Sequence, residues 1–405
     1  MSKDTLKKIV PATYSKVESA NNKIVKEIKS LMKETKGLEH DISALKKEIE
    51  TIGKENEQLQ TTNERVQSQF REEMKNLLRN EGKDLTQIKT SVNQMKNVYL
   101  YNNEYERKAI KSFYEYYERD DFKELFMNLV HGMEAEDIAM IVKILQRQRR
   151  AKETEGREAD LFSMEEQQQI LKMKKELAGE ILRVADDMYC YKHYFLPIRH
   201  FEPSVFYYRH GIDCIENLEK IRQRDILDIG GFIGDSVLVL EPLTKKRIFS
   251  FEAVEKHYNL IKKTVAMNGL DNVIIERMAL GDHEGKIEIE VADSSSSINP
   301  NEVVQITGAE RVPLDTLDRY EETHPMDVGL IKVDIEGTEQ SFLRGARRTI
   351  EKYKPVLLMS IYHNADDFFN IKPMIESWNL GYKFRIHKPI DYSVSREVLL
   401  IAEVR

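Results

Sequence analysis

The chain has 405 residues, 41% of them hydrophobic and 32% charged, with a net charge of −7. That length exceeds one ordinary compact domain. No run of about 18 apolar residues is present to span a membrane, and two cysteines, Cys190 and Cys214, are too few for a disulfide framework or a zinc site and suit a reducing cytoplasm.

The charge is uneven along the chain. Residues 1–100 carry 19 Lys/Arg against 15 Asp/Glu, a net +4, and the remainder carries 43 against 54, a net −11. The acidic part lacks the clustered basic charge that phosphate contacts need, which argues against a nucleic-acid substrate. The opening MSKDTLKKIVPATYSK has no apolar stretch of a secretory leader, so residues 1–20 read as a tail.

Residues 21–100 read as a coiled coil. From Ile24 to Phe70 a heptad runs in alternating steps of four and three. Its d positions are Ile24, Leu31, Leu38, Leu45, Ile52, Leu59 and Val66, and its a positions are Ile28, Thr35, Ile42, Ile49, Asn56, Asn63 and Phe70. So narrow a stripe needs a partner helix. Ile at a with Leu at d favours two parallel strands, and Asn at a fixes register, so Asn56 and Asn63 point to a parallel homodimer. Asp41 with Lys46 would pair across the dimer but Glu34 with Glu39 would repel, which leaves a trimer open. The pattern resumes at Leu85, Ile88, Val92, Met95 and Tyr99 after a break at Gly82. The first stretch would make a rod of about 70 Å, a dimerisation stalk or an arm that docks a partner protein. Its basic excess reads as a solvated helix surface, with contact to a membrane surface as the alternative.

Residues 101–194 read as a helical linker. Apolar residues at helical spacing flank His131-Gly132, and the acidic Glu134–Asp137 suits the start of the second helix. Arg147, Arg149 and Arg150 read as a solvated helix end, with phosphate binding as the alternative. The aromatic run MYCYKHYFLP reads as the packed entry to the next domain.

After residue 200 the pattern alternates strand and helix. Strands are expected at Asp225–Ile229, Arg247–Glu252, Val273–Arg277, Leu330–Ile335 and Pro355–Tyr362, with Asn268-Gly269 stopping a helix between the second and third. Two more strands, Lys383–His387 and Glu397–Val404, would close the chain as a hairpin, giving a doubly wound α/β sheet. The turn GGFIGDS after the first strand removes side chains at Gly230, Gly231 and Gly234, and the helix that follows would point N–H groups at an anionic ligand. Glu252 ends the second strand 22 residues after Gly230, where a carboxylate can accept both hydroxyls of a ribose. Nicotinamide enzymes and S-adenosylmethionine enzymes share this pair of features. The terminal hairpin favours the second class, no hydride-transfer set stands out, and the fourth strand ends in IKVDIEGTEQSFLRGA. Lys332, Asp334, Glu336 and Glu339 cluster there, and acids at a strand's carboxyl end need a positive or hydrogen-bonding partner. A sulfonium cofactor or a polyhydroxylated substrate supplies one; a divalent cation is the competing explanation, and no metal-ligand set is assigned.

Residues 195–405 resemble the FkbM family of methyltransferases through FLPIRHFEPSVFYYRHG, ILDIGGFIGDS, FSFEAVEKHYNLI, MALGDHEGKIEIEV, VPLDTLDRY, IKVDIEGTEQSFLRGA and SIYHNADDFFNIKPMI. The resemblance implies a Rossmann-like class I fold and S-adenosylmethionine-dependent O-methylation of a hydroxyl, often on a sugar or polyketide. It implies that Asp228, Gly230, Gly234 and Asp235 hold the methionine portion, with Ser236 in the same cofactor-binding set, that Glu252 holds the ribose, and that Met278 and Ala279 border the adenine. Asp334, Glu336 and Gly337 would face the transfer site. Ala253 stands where the family usually has proline, and the coiled coil lies outside the resemblance.

Methyl transfer rests on orientation and on removing the hydroxyl proton. His363, just beyond the fifth strand, is the candidate base, His387 the second, and Asp334 an alternative. Ser294–Ser297 reads as a loop, either a substrate lid or a plain connection. These readings converge on a cytoplasmic, homodimeric O-methyltransferase acting on a carbohydrate or glycan, in surface polysaccharide synthesis alongside other glycan-synthesis proteins. The rivals are a nicotinamide-dependent oxidoreductase and a coiled-coil scaffold with a non-catalytic Rossmann-like module. A nucleic-acid methyltransferase is disfavoured, as no (D/N)PPY string follows the fourth strand.

Overall fold

A computed structural model describes residues 104–154, 161–292, 306–391 and 393–404. The heptad segment at 21–100 and the Ser294–Ser297 loop lie outside the described residues. The helices expected around His131-Gly132 are present: α1 (Glu104–Tyr117), α2 (Phe122–Val130) and α3 (Ala135–Thr154), the last with Glu136 and Asp137 in its first turn. Then comes α4 (Met164–Ala178), which opens on a capping box between Ser163 and Glu166.

Two readings of this region need correction. Arg147 is not at a solvated helix end. The helix runs on to Thr154, and Arg147 is buried, with its guanidinium 4.4 Å over the Phe162 ring and bonded to Glu166 and the Leu161 carbonyl. The end of the helical linker is a sheet: β1 (Leu182–Ala185), β2 (Met188–Tyr191) and β3 (Tyr194–Leu196) form an antiparallel meander. Aromatic side chains favour a pleated, half-buried surface, and Tyr191 packs on Phe201 and Phe206 from one face of β2.

The main sheet has seven strands: β4 (Asp225–Ile229), β5 (Ile248–Phe251), β6 (Val273–Glu276), β10 (Val328–Val333), β11 (Val356–Ser360), β12 (Tyr382–His387) and β13 (Leu399–Val404). Its order is β12-β13-β11-β10-β4-β5-β6, and β13 is antiparallel to both neighbours. The terminal hairpin thus folds back so that the last strand fills the slot beside β11. β4, β5, β10 and β11 are buried at every position, which is why they read as mostly apolar runs, interrupted at Asp225, Asp228, Ser250, Lys332 and Ser360.

A small second sheet went unread in the sequence. β7 (Ala279–Leu280) and β8 (Gly285–Ala292) both pair with β9 (Ile306–Asp315). The longer helices among the described residues of this part are α5 (Asp235–Leu240), α6 (Glu255–Met267), α7 (Leu317–Thr323), α8 (Glu339–Gly345), α9 (Arg347–Tyr353) and α10 (Ala365–Ser377). Asn268 caps α6 and Gly269 follows at φ 64, as the sequence suggested.

Two apolar cores cover the faces of the main sheet. Phe113, Leu129, Ile141, Ile144 and Leu145 join Ile331, Leu357 and Phe384 in one, and Met173, Leu177 and Leu196 join Ile226, Leu330 and Leu358 in the other. Residues before 195 therefore close both faces.

Candidate functional site

The chain leaves β4 toward β5 and leaves β10 toward β11, in opposite directions across the sheet. Ligands of open α/β sheets bind at the carboxyl end of such a switch point. Most of what was singled out in the sequence converges here, from GGFIGDS after β4, Glu252 after β5 and DIEG after β10.

The glycine turn is packed against the neighbouring strand end. Gly230 has φ 82, and a Cβ there would lie 1.9 Å from the Asp334 carbonyl oxygen; at Gly231 it would lie 2.2 Å from Ser250 Oγ. The turn's donors face inward. Gly230 N and Gly231 N both donate to the Phe251 carbonyl at 3.0 Å, Gly234 N donates to the Gly231 carbonyl, and Ser236 N donates to the Asp235 carboxylate. The N–H groups expected to face an anion were those of the helix that follows, and of these Ser236 N is spent on Asp235. α5 is only six residues long, and most of the amides before it are already spent.

Asp228 and Ser236 bond to each other inside the protein. Ser236 Oγ donates to both oxygens of Asp228, at 3.0 and 3.1 Å, and Ser250 Oγ donates at 3.0 Å. Lys332 Nζ lies 3.1 Å from Asp228 and donates to the Gly230 carbonyl at 2.7 Å. Burial opposes the charge on Lys332, but Asp228, Asp334 and Asp235 outweigh it and hold its pKa above the ordinary value. This buried ion pair fixes the turn to β10. Asp235 is buried beside it, and burial pushes its carboxyl up to about 6.

Glu252 is presented differently. Oε2 accepts from Phe232 N and Oε1 from Val254 N, each at 2.8 Å. Burial pushes its pKa up to about 7 against these two bonds. Phe232, at φ 46, packs edge-on to His257 and His200 next to it. Each carboxylate oxygen keeps a second acceptor site, so the group is set to take two hydroxyls. Met278 and Ala279 lie just past the end of β6, one strand further out, both half-buried.

Beyond β10 a tight turn brings together a second group. Glu336 has φ 56 and Gly337 φ 96, and the chain then enters α8 at Glu339. His363, three residues past β11, has a side chain only 3% exposed. Its Nε2 lies 3.3 Å from Asp334 Oδ1 and 3.6 Å from Glu336 Oε2, and its Nδ1 lies 2.9 Å from Glu339 Oε1. Burial opposes a charge on this ring, but Asp334 and Glu339 outweigh it and raise its pKa well above the usual histidine value. Burial likewise works against the Asp334 carboxylate, and His363 and Lys332 more than reverse that, holding it far below its usual range.

The structure thus gathers His363, Asp334 and Glu336 and leaves the second candidate apart. His387 ends β12, 3.7 Å from Cys214 Sγ, and burial pushes its pKa down to about 4. Two participants carried no role in the sequence reading. Glu339 was visible in the acidic cluster, and only its place at the start of α8 turns it under His363. Lys332 was visible as the one cation in a buried strand, a signal of a paired carboxylate.

Residues 228–384 match the family model described as the methyltransferase FkbM domain. Among solved structures, a methyltransferase FkbM from Methylobacillus flagellatus KT is 17% identical over 70% of this chain and 60% of that one, with a TM-score of 0.44; the chain therefore spans about 60% of that protein's length. An rRNA methylase from Streptococcus thermophilus is 12% identical over 46% of this chain and 92% of that one, at a TM-score of 0.30. A Streptococcus mutans protein solved in complex with SAH is 10% identical over 46% and 94%, at 0.28. No curated protein matches. Over residues 228–384 the chain is thus similar to a methyltransferase FkbM domain.

Proposed function

We propose that this chain transfers the methyl group of S-adenosylmethionine to a hydroxyl of a carbohydrate or glycan. The observation that carries the cofactor assignment is the pairing of Glu252 with a closed glycine turn. Glu252, oriented by Phe232 N and Val254 N, is a receptor for a ribose diol. The adjacent turn has spent the N–H groups of Gly230, Gly231, Gly234 and Ser236 internally. A dinucleotide needs both a diol receptor and a pyrophosphate cradle, whereas S-adenosylmethionine has no phosphate. That asymmetry favours S-adenosylmethionine over a nicotinamide cofactor. Met278 and Ala279 would border the adenine, and Gly230, Gly234 and Asp235 the methionine portion. Asp228 and Ser236, bonded to each other and to Lys332, would serve by holding that turn in place.

The acceptor hydroxyl would dock at Asp334, Glu336 and His363. The acid-rich rim suits a neutral polyol, which brings many hydroxyl donors and no charge of its own, and the FkbM domain match supports methyl transfer itself. The test is calorimetric titration with S-adenosylhomocysteine, with NAD as control, on the wild type and Glu252→Ala. Micromolar binding of S-adenosylhomocysteine, weakened at least tenfold by Glu252→Ala and matched by no NAD binding, is the expected result. NAD binding in its place, or S-adenosylhomocysteine affinity untouched by the substitution, would overturn it.

A further inference from the structure

The group around His363 holds more negative charge than its own cation can balance. Asp334, Glu339 and His363 each offer a ligand atom, and these atoms all lie within 4.8 Å of one another. Glu339 is fully buried. Its Oε1 accepts from Ile335 N at 3.0 Å, and its Oε2 has no hydrogen-bond partner. The ring nitrogens of His363 are buried too, and neither makes a hydrogen bond despite carboxylate oxygens at 2.9 and 3.3 Å; the oxygens lie close to the ring but out of line with an N–H. Glu336 brings a third carboxylate to the rim, its Oε2 3.6 Å from His363 Nε2 and its side chain 79% exposed. Lys332, a buried cation whose charge acts on Asp334, is engaged with Asp228 and the Gly230 carbonyl. Buried carboxylates gathered this closely are costly unless a cation sits among them.

We propose that Asp334, Glu339 and His363 bind one divalent metal ion, with Glu336 on its solvent side. The inference rests on the methyl-transfer reading for its purpose, though not for its geometry. Two carboxylates and one imidazole suit Mn2+ or Mg2+, where a zinc site would be richer in histidine or cysteine. Three protein ligands leave coordination positions open toward Glu336, and an acceptor with two neighbouring oxygens could fill them. A hydroxyl bound to such an ion would give up its proton more readily, and the Glu336 carboxylate at the rim would receive it. That supplies the step for which a lone imidazole between two carboxylates is poorly placed. Glu336 at φ 56 and Gly337 at φ 96 fit this use, since strained turns gather where the surrounding structure imposes a site.

The test is titration of the full-length protein with Mn2+, followed by electron paramagnetic resonance and calorimetry. S-adenosylhomocysteine binding is measured on the same samples. The wild type should take up close to one Mn2+ per chain at micromolar concentration. Glu339→Gln and His363→Ala should each weaken it at least tenfold while leaving S-adenosylhomocysteine affinity within twofold. If either variant fails to fold, Glu336→Gln at the exposed rim should still weaken Mn2+ severalfold. Absence of Mn2+ and Mg2+ binding below millimolar concentration, or Mn2+ binding that survives the folded variants undiminished, overturns the metal site. If Mn2+ binds as described and S-adenosylhomocysteine does not, the metal site stands and the methyl-transfer reading falls.

Discussion

Glu252 shows how one side chain can be held and kept available. Two backbone N–H groups fix its oxygens, while burial favours the neutral acid and pushes its pKa up to about 7. A ribose diol donates hydrogen bonds, so it selects the ionised form. Cofactor affinity should therefore rise with pH through about 7 and level off above it. The ionised fraction near pH 6 is about a tenth, so S-adenosylhomocysteine should bind about tenfold more weakly there than at pH 8. The ligand's own groups do not titrate in this window. Calorimetry at four pH values checks this, with Glu252→Gln as a variant that should lose the tenfold change and keep at most the roughly twofold change left by Asp235, whose carboxyl burial pushes up to about 6. A flat wild-type profile would remove Glu252 from the ribose. The residue types and spacing of this site were readable in the sequence: a carboxylate at a strand end after a glycine turn. Which partner each group chose was not. Asp228 looked like a ligand contact and is sealed among Ser236, Ser250 and Lys332, because only the strand registers Asp228↔Lys332 and Asp228↔Ser250 set those groups face to face.

At the scale of elements, α4 docks on α3 through a small number of buried polar contacts. Lys143 and Arg147 of α3 both reach Glu166, and Glu166 also accepts from Ser163 N to close the capping box. Burial works against this carboxylate, yet the two cations pull it down to about 2. A carboxyl group depressed on folding contributes stability above its unfolded pKa and loses it as pH falls through the folded one. The window here runs from about 4.5 down to about 2. Glu166→Gln can keep the capping box but leaves Arg147 buried without its counter-charge. It should cost about 2–3 kcal/mol at pH 7, and thermal unfolding should show that deficit shrinking toward pH 2.5. A deficit independent of pH would mean the ion pair is not its source. The central strands were legible to within a residue or two because buried parallel strands read as largely apolar runs bounded by polar turns. The β8–β9 hairpin was legible in principle, since Ile287, Ile289 and Val291 alternate with Lys286, Glu288 and Glu290. The β1–β3 meander was not, because strands of three or four residues hold too few positions to show a period.

For the whole molecule, the unit that must fold is larger than the segment that carries the family resemblance. The match ends at residue 384, yet β13 (Leu399–Val404) is needed inside the sheet, between β11 and β12. It begins at residue 228, yet Phe113, Leu129, Ile141, Ile144 and Leu145 cover one face of that sheet, and Met173 and Leu177 cover part of the other. Burying a large apolar side chain contributes about 1.5–3 kcal/mol. Those seven side chains together come to about 10–20 kcal/mol, as much as the whole net stability of a typical domain, about 5–15 kcal/mol. A chain cut to residues 195–405 should therefore be insoluble, or should lack near-ultraviolet circular dichroism and a cooperative thermal transition. A chain cut to residues 104–405 should unfold cooperatively and bind S-adenosylhomocysteine as the full chain does. If the shorter piece folded cooperatively with unchanged affinity, α1 to α4 would be an attachment. If it fails as expected, α1 to α4 belong to the same folded body as the sheet, and the glycine turn and Glu252 keep their places only while those helices cover it.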